Sequence, residues 1–364
     1  MDAVAPAIET STSLPPENNY LALVSGQTHG LWASLQRGGL RLAEMPYAWA
    51  MRLRNGLFDS GWKRTHRASV PVVSVGNLTL GGTGKTPCVE YVARFFLERG
   101  LRVAILSRGY GAAGGRNDEA LVLEENLPDV PHLQGADRVA LAETAVTELE
   151  SEVLVLDDGF QHRRLARDLD MVLVDATNPW GYGHLFPRGL LRESPAGLRR
   201  AQVVLLTRCD QVPAEKRDRL RETVARIAPQ AVAAETVHQP LDLQDSDGAS
   251  LPLEHLRERP VAAFWGLGNP KAFRRTLVDL GANVQASRTF PDHHSYSRTD
   301  VEALRSWARQ LASDAVVVTT RKDLVKLRLS QLSGRALYAL RIRLQFTSGQ
   351  GAVDQQLLSV VPSP

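Results

Sequence analysis

Between Val70 and Gly100 an apolar run, VPVVSV, leads into Gly76-Asn77-Leu78-Thr79-Leu80-Gly81-Gly82-Thr83-Gly84-Lys85-Thr86-Pro87, after which the chain takes up a helical rhythm. Val89, Val92, Ala93, Phe96 and Leu97 recur at i, i+3, i+4, i+7 and i+8, and Gly100 suits the residue just past a helix C-terminus. Strand, glycine loop and helix in this order make a phosphate cradle. Glycines let backbone N–H groups curl around phosphate oxygens, and the helix dipole favours the negative charge. A nucleoside triphosphate is the expected ligand, held by Gly81, Gly82, Thr83, Gly84, Lys85 and Thr86, with Lys85 on the β/γ-phosphates and the Thr86 hydroxyl on Mg²⁺. Against G-x-x-x-x-G-K-[ST] the stretch departs once, carrying Thr79 where the first glycine is expected.

Such a loop needs a carboxylate at the end of a neighbouring strand to hold the metal. The run Val153-Leu154-Val155-Leu156-Asp157-Asp158-Gly159 supplies two, so Asp157 is assigned to the metal shell and Asp158 as an adjacent ligand or hydrogen-bond partner. LRVAIL (101–106), MVLVDA (171–176) and QVVLLT (202–207) alternate with helical patterns, as in a parallel α/β sheet. Their C-terminal ends would gather Ser107-Arg108-Gly109-Tyr110, the two aspartates, Asp175 and Thr207-Arg208-Cys209-Asp210 at one edge, where ligands bind in such sheets.

Residues 31–54 read as an amphipathic helical pattern. Leu31, Leu35, Leu42, Met45, Trp49 and Leu53 share one side, Arg37, Arg41, Glu44, Arg52 and Arg54 the other, and Pro46 is expected to split the pattern into two helices. Residues 1–36 contain no Lys or Arg, whereas 37–67 carry seven basic side chains against Glu44 and Asp59. A cationic side and a Trp-bearing side near a terminus suit a helix lying in a membrane surface, although packing of the apolar side on the protein's own core is the commoner fate.

The chain has 364 residues, 43% hydrophobic and 23% charged, which excludes disordered, collagen-like and disulfide-scaffold classes. Its two cysteines, Cys88 and Cys209, lie far apart and fit a reducing compartment. A net charge of +3 is too mild for a nucleic-acid binder, so no nucleic acid is expected as partner. The start lacks the basic region and apolar core of a secretory signal, and no apolar run is long enough to span a bilayer. The reading divides the chain into a mobile tail (1–30), an amphipathic membrane-associating segment (31–67), a P-loop kinase domain (68–240), a smaller α/β domain (241–350) entered through a breaker-rich hinge near 241–260, and a C-terminal tail (351–364).

VPVVSVGNLTLGGTGKTP (70–87), SRGYG (107–111), Asn117-Asp118-Glu119, DDGFQHRRLARDLD (157–170), Pro187-Arg188-Gly189-Leu190-Leu191-Arg192-Glu193, FPDHHSY (290–296) and TTRKDLVKL (319–327), in that order, resemble the tetraacyldisaccharide 4′-kinase (lipid A 4′-kinase) family. That family shares the Thr79 departure. The resemblance implies a P-loop NTPase-type parallel sheet flanked by helices, a second smaller α/β domain and an N-terminal amphipathic membrane-surface helix. It implies transfer of phosphate from ATP, with Mg²⁺, to the 4′-hydroxyl of an acylated disaccharide 1-phosphate. The setting implied is the cytoplasmic face of the bacterial inner membrane, with the membrane surface as partner and no protein partner required.

By the same resemblance Asp118 is the catalytic base and His293 its partner, with His294 the nearby competitor; Lys85 completes the catalytic set. Asn117 and Ala120 replace the family's usual Gly and Pro around Asp118. Arg108, Tyr110, Arg138 and Arg192 are candidates for gripping the substrate phosphate or the nucleotide, since a guanidinium fork suits phosphate oxygens. Glu193 is a further candidate carboxylate near Mg²⁺, and His162 a supporting group behind the aspartates. The rival reading is a P-loop GTPase or ATPase switch acting on a protein partner at the membrane.

Overall fold

The computed structural model describes residues 16–109, 118–268, 270–292 and 294–361, the first three as backbone alone. The chain divides into two compact units. Of the described residues, the larger comprises those within 22–238 and 344–361, and the smaller those within 239–343 together with 16–21.

In chain order the first elements are α1 (Pro16–Val24), α2 (Leu31–Asp59), β1 (Val72–Asn77), α3 (Lys85–Leu97), β2 (Val103–Ser107), α4 (Asp118–Asn126), β3 (His132–Gln134), α5 (Arg138–Thr147), β4 (Val153–Asp157), β5 (Leu169–Asp175), β6 (Val203–Thr207), α6 (Ala214–Ile227) and β7 (Val232–Gln244). Within the larger unit the strands run in the order β7-β6-β5-β1-β4-β2-β3, each parallel to its neighbours in that order. Helices cover both faces, so the apolar runs read from the sequence are buried along nearly their whole length, as parallel strands require. On one face Val89 and Phe96 of α3 pack against Val155 and Leu173; on the other Leu78, Phe160 and Leu206 form a second cluster. β1 lies between β4 and β5, with Val75 opposite Asp157, so the glycine loop emerges beside the aspartates.

The later elements are β8 (Ser250–Leu251), β9 (Pro260–Trp265), α7 (Pro270–Asp279), β10 (Asn283–Thr289), α8 (Arg298–Arg309), β11 (Val316–Thr320), α9 (Arg321–Leu327), β12 (Gln331–Leu332), β13 (Arg335–Ser348) and α10 (Gln350–Leu358). In the smaller unit β10, β9, β11 and β13 lie side by side in parallel around a core that includes Val261, Phe264, Val317 and Leu337.

Three expectations are corrected. The chain passes between units inside β7, at His238–Gln239, and inside β13, at Arg343–Leu344, rather than through the breaker-rich 241–260 segment. Residues 351–358, expected within a tail, belong to α10; Val353 and Leu357 are buried in the same cluster as Phe96, and Tyr91 donates to Asp354. Pro46 does not divide α2, which continues from Leu31 to Asp59. A proline removes one backbone donor, and here contacts of Glu44, Tyr47, Arg54 and Asn55 with the larger unit anchor the helix on both sides of that gap.

Candidate active site

The loop between β1 and α3 follows the expected chemistry. Gly84 caps α3 in the left-handed region, φ +88°, and a Cβ there would fall 2.3 Å from His238 Nε2. A Cβ on Gly81 or Gly82 would meet nothing within 4 Å, which leaves open space beside the loop. Thr79 needs no glycine freedom. It pairs with Leu191 as an isolated antiparallel bridge, flanked by Leu80 N–H to Leu190 O and Arg192 N–H to Leu78 O. The Pro187–Glu193 run thus acts as a short extended partner for the front of the loop.

Lys85 is the first residue of α3, and its Nζ lies 3.5 Å from Asp158 Oδ1. Asp158, itself at φ +54°, accepts from Arg192 Nη1 on both oxygens, at 2.8 and 2.7 Å. Burial works against ionisation of this carboxyl, but Lys85 and Arg192 outweigh it and hold its pKa below the usual carboxylate range. Asp157 is buried at the end of β4, and burial with the nearby Asp157 charge pushes the Cys88 thiol up, so Cys88 is an inert core residue. Thr86 is buried at the second position of α3. Hydroxyl and carboxylate oxygens suit a hard cation such as Mg²⁺. The residues therefore fit a metal held by Thr86 and Asp157, beside a polyphosphate at the helix N-terminus.

Glu193, the further carboxylate expected near Mg²⁺, lies buried among protein donors. Only 2% exposed, it accepts from Arg200 on both oxygens at 2.9 Å, from Asn55 at 3.1 Å and from Gln161 at 3.0 Å. Three donor groups give it four hydrogen bonds, so it serves as a buried hub tying α2 to the loop after β4. Among the described residues no group of three or more His, Cys, Asp or Glu stands ready to hold a metal. Arg192 is likewise committed to Asp158, and its carbonyl accepts from Tyr47 at 2.9 Å.

Asp118 is buried at the first residue of α4, where its Oδ1 accepts from the Glu119 N–H at 3.1 Å. Arg138 is buried at the start of α5, capped by Asp137, and burial together with the Arg108 charge lowers its pKa. Arg108 is exposed just past β2. His162 is pushed down to about 4 by burial and by Arg138, Arg164, Arg167 and Arg54, and its buried Nε2 makes no hydrogen bond among the described residues. Tyr110, Asn117 and His293 lie outside the described residues. His294 is stacked on Phe290 and bonded to Asp300 at 3.2 Å. Nearby, fully buried Asp323 accepts from Gly266 N–H and Tyr296 Oη, both at 3.0 Å, and so ties the FPDHHSY segment to the TTRKD segment.

Sequence reasoning gave no role to His238 or Asn77, and placed Thr207 and Arg208 only at the edge where ligands bind. Asn77 Nδ2 donates to Thr83 Oγ1 at 2.9 Å, Thr207 Oγ1 to Thr83 O at 3.1 Å and Arg208 Nη2 to Gly82 O at 2.7 Å. For Asn77, Thr207 and Arg208 the position at strand C-terminal ends was the available signal.

The family profile described as Tetraacyldisaccharide-1-P 4′-kinase (LpxK) matches residues 38–362. The chain belongs to the tetraacyldisaccharide-1-P 4′-kinase family. Among similar proteins in this kinase family, the tetraacyldisaccharide 4′-kinase of Anaeromyxobacter sp. (strain Fw109-5) is 45% identical over 337 residues, covering 87% of this chain and 90% of that protein. That of Anaeromyxobacter dehalogenans (strain 2CP-C) is 43% identical over 353 residues, covering 90% and 92%. The crystal structure of "apo" form LpxK from Aquifex aeolicus in complex with ATP superposes with a TM-score of 0.71 at 29% identity, covering 89% of this chain and 99% of that one. The resemblance seen in the sequence is borne out, as are the flanked α/β fold and the assignment as a kinase of the tetraacyldisaccharide family acting on a lipid A disaccharide.

Proposed function

We propose that this kinase transfers the γ-phosphate of ATP to the 4′-hydroxyl of a tetraacylated glucosamine disaccharide 1-phosphate, working from the cytoplasmic face of the inner membrane. The observation that carries the reading is Lys85 Nζ at 3.5 Å from Asp158, on a glycine loop that opens α3 and lies beside Asp157. Gly81–Thr86 cradle the phosphates, Lys85 neutralises the transferring group, and Thr86 with Asp157 hold Mg²⁺, which when bound offsets charge on the phosphate oxygens.

A sugar hydroxyl is a weak nucleophile, so its proton must leave as the new P–O bond forms. Asp118 accepts that proton while the bond from the γ-phosphorus to the ADP oxygen breaks, and His293 tunes the base. A buried carboxylate at a helix N-terminus supports Asp118 in this role. Arg108, Tyr110 and Arg138 grip the acceptor's 1-phosphate or the nucleotide, while Arg192 acts through Asp158.

What supports membrane association is α2. Leu31, Trp32, Leu35, Leu42, Met45, Trp49 and Leu53 are all exposed on it, Trp32 by 74% and Trp49 by 67%, and Ala33 alone is buried among its described residues. An apolar side left in water beside arginines suits a headgroup boundary. No helix among the described residues is long and apolar enough to cross a membrane, which leaves surface contact as the mode proposed for α2.

The test is transfer of radiolabel from γ-labelled ATP to the acylated disaccharide 1-phosphate in detergent. Label on the lipid is the expected result. ATP hydrolysis stimulated by a protein, with no labelled lipid, would favour the switch reading instead.

A further inference from the structure

Two residues at the C-terminal end of β6, Thr207 and Arg208, grip the phosphate loop by its carbonyls. Thr207, fully buried, donates from Oγ1 to Thr83 O at 3.1 Å. Arg208 donates from Nη2 to Gly82 O at 2.7 Å, and its Nη1 pairs with Asp175 at the end of β5. Arg208 adopts φ +56°, a left-handed conformation that is costly for a non-glycine residue.

A trans peptide is planar, so the C=O of one residue and the N–H of the next point in opposite directions. Fixing Gly82 O on Arg208 therefore turns the Thr83 N–H away from that guanidinium, and fixing Thr83 O on Thr207 turns the Gly84 N–H away from that hydroxyl. Packing alone does not set these planes, because a Cβ on Gly81 or Gly82 would meet nothing. On the other side of the loop, Asn77 holds the Thr83 side chain and His238 fills the space against Gly84. Glycine-rich backbone left to itself samples many conformations, and ordering it costs conformational entropy.

We infer that Thr207 and Arg208 are positioning residues that preset the Thr83 and Gly84 N–H groups as anion donors for the phosphate chain of the nucleotide. Donors fixed before the ligand arrives need no reorganisation when it binds. The inference deepens the proposed reading of the loop and rests on it.

The test measures binding of inorganic tripolyphosphate and of ATP to the full chain by calorimetry, with thermal midpoints recorded for each variant. Thr207→Val is expected to weaken both ligands about tenfold, as losing one hydrogen bond does. Thr207→Ser should restore both. Arg208→Lys should weaken both alike, since one ammonium cannot span Gly82 O and Asp175. Undiminished tripolyphosphate binding by Thr207→Val overturns the inference, as does equal weakness of the Ser and Val variants. Loss by Arg208→Lys confined to ATP also overturns it, because that pattern marks a base contact. A wild-type chain that binds neither ligand overturns the phosphate-loop reading together with the inference, whereas normal wild-type binding with unaffected variants overturns the inference alone.

Discussion

Lys85 shares Asp158 with Arg192: its Nζ stands 3.5 Å from one carboxylate oxygen while Arg192 Nη1 contacts both. A triphosphate must draw Lys85 away from that carboxylate, and Arg192 remains behind to neutralise it. Lys85→Met should lower kcat about 10²–10³-fold, the usual cost of losing one fixed donor to the transition state. Arg192→Met should instead raise the KM for ATP severalfold with a smaller change in kcat, because Asp158 then holds Lys85 more tightly. Steady-state kinetics on both variants separate the two effects, and an unchanged KM in the arginine variant would disprove the competition.

Asp118 can be checked as the base. Replacing it with Asn preserves size and removes proton affinity, so kcat should fall about 10²–10⁴-fold with the KM for ATP nearly unchanged. Direct nucleotide binding by Asp118→Asn should match the wild type, and undiminished turnover would exclude the carboxylate from proton transfer.

Gly84 carries two constraints at once, φ +88° and His238 Nε2 at 2.3 Å from any added Cβ. Gly84→Ala should lower the thermal midpoint and abolish detectable ATP binding. Adding His238→Ala should recover part of the midpoint but not the binding, since it removes the clash and leaves the backbone strain. A double variant no more stable than the single one would show that the histidine is not the obstacle.

Burial, and secondarily Arg208, push His238 down to about 3. The unfolded chain takes up a proton near the ordinary histidine value of about 6.5, while the folded chain resists it. Stability from this group is thus complete above pH 6.5 and is lost as pH falls toward about 3. His238→Gln should flatten that acid decline in denaturant midpoints measured from pH 7 to pH 4. Identical slopes in the two proteins would contradict the assignment.

Vesicle binding by α2 should depend on its exposed aromatic residues. Trp32→Ser with Trp49→Ser should weaken co-sedimentation with anionic liposomes about tenfold or more, while activity on detergent-dispersed acceptor changes little. Retained sedimentation would mean that this side of the helix serves another purpose.

What could be read without coordinates was whatever is local in the chain. VPVVSV, the glycine loop and the i, i+3, i+4 pattern from Val89 specify strand, cradle and helix through near-neighbour sterics and hydrogen bonding, and VLVLDD places carboxylates at a strand end. The amphipathic rhythm of 31–54 likewise emerged from period alone, as did the exposed apolar side it produces. Partner choice was not legible in this way. That Glu193 binds Arg200, Asn55 and Gln161, that Arg192 serves Asp158, that Thr79 pairs with Leu191 and that α10 packs beside Phe96 all depend on contacts the local sequence does not specify. Charge–charge and donor–acceptor pairing act through space, so only the folded chain decides which arginine meets which carboxylate. The same holds for Thr207 and Arg208, ordinary residues after a strand whose grip on the Gly82 and Thr83 carbonyls exists only once β6 is laid in the sheet near the loop that follows β1.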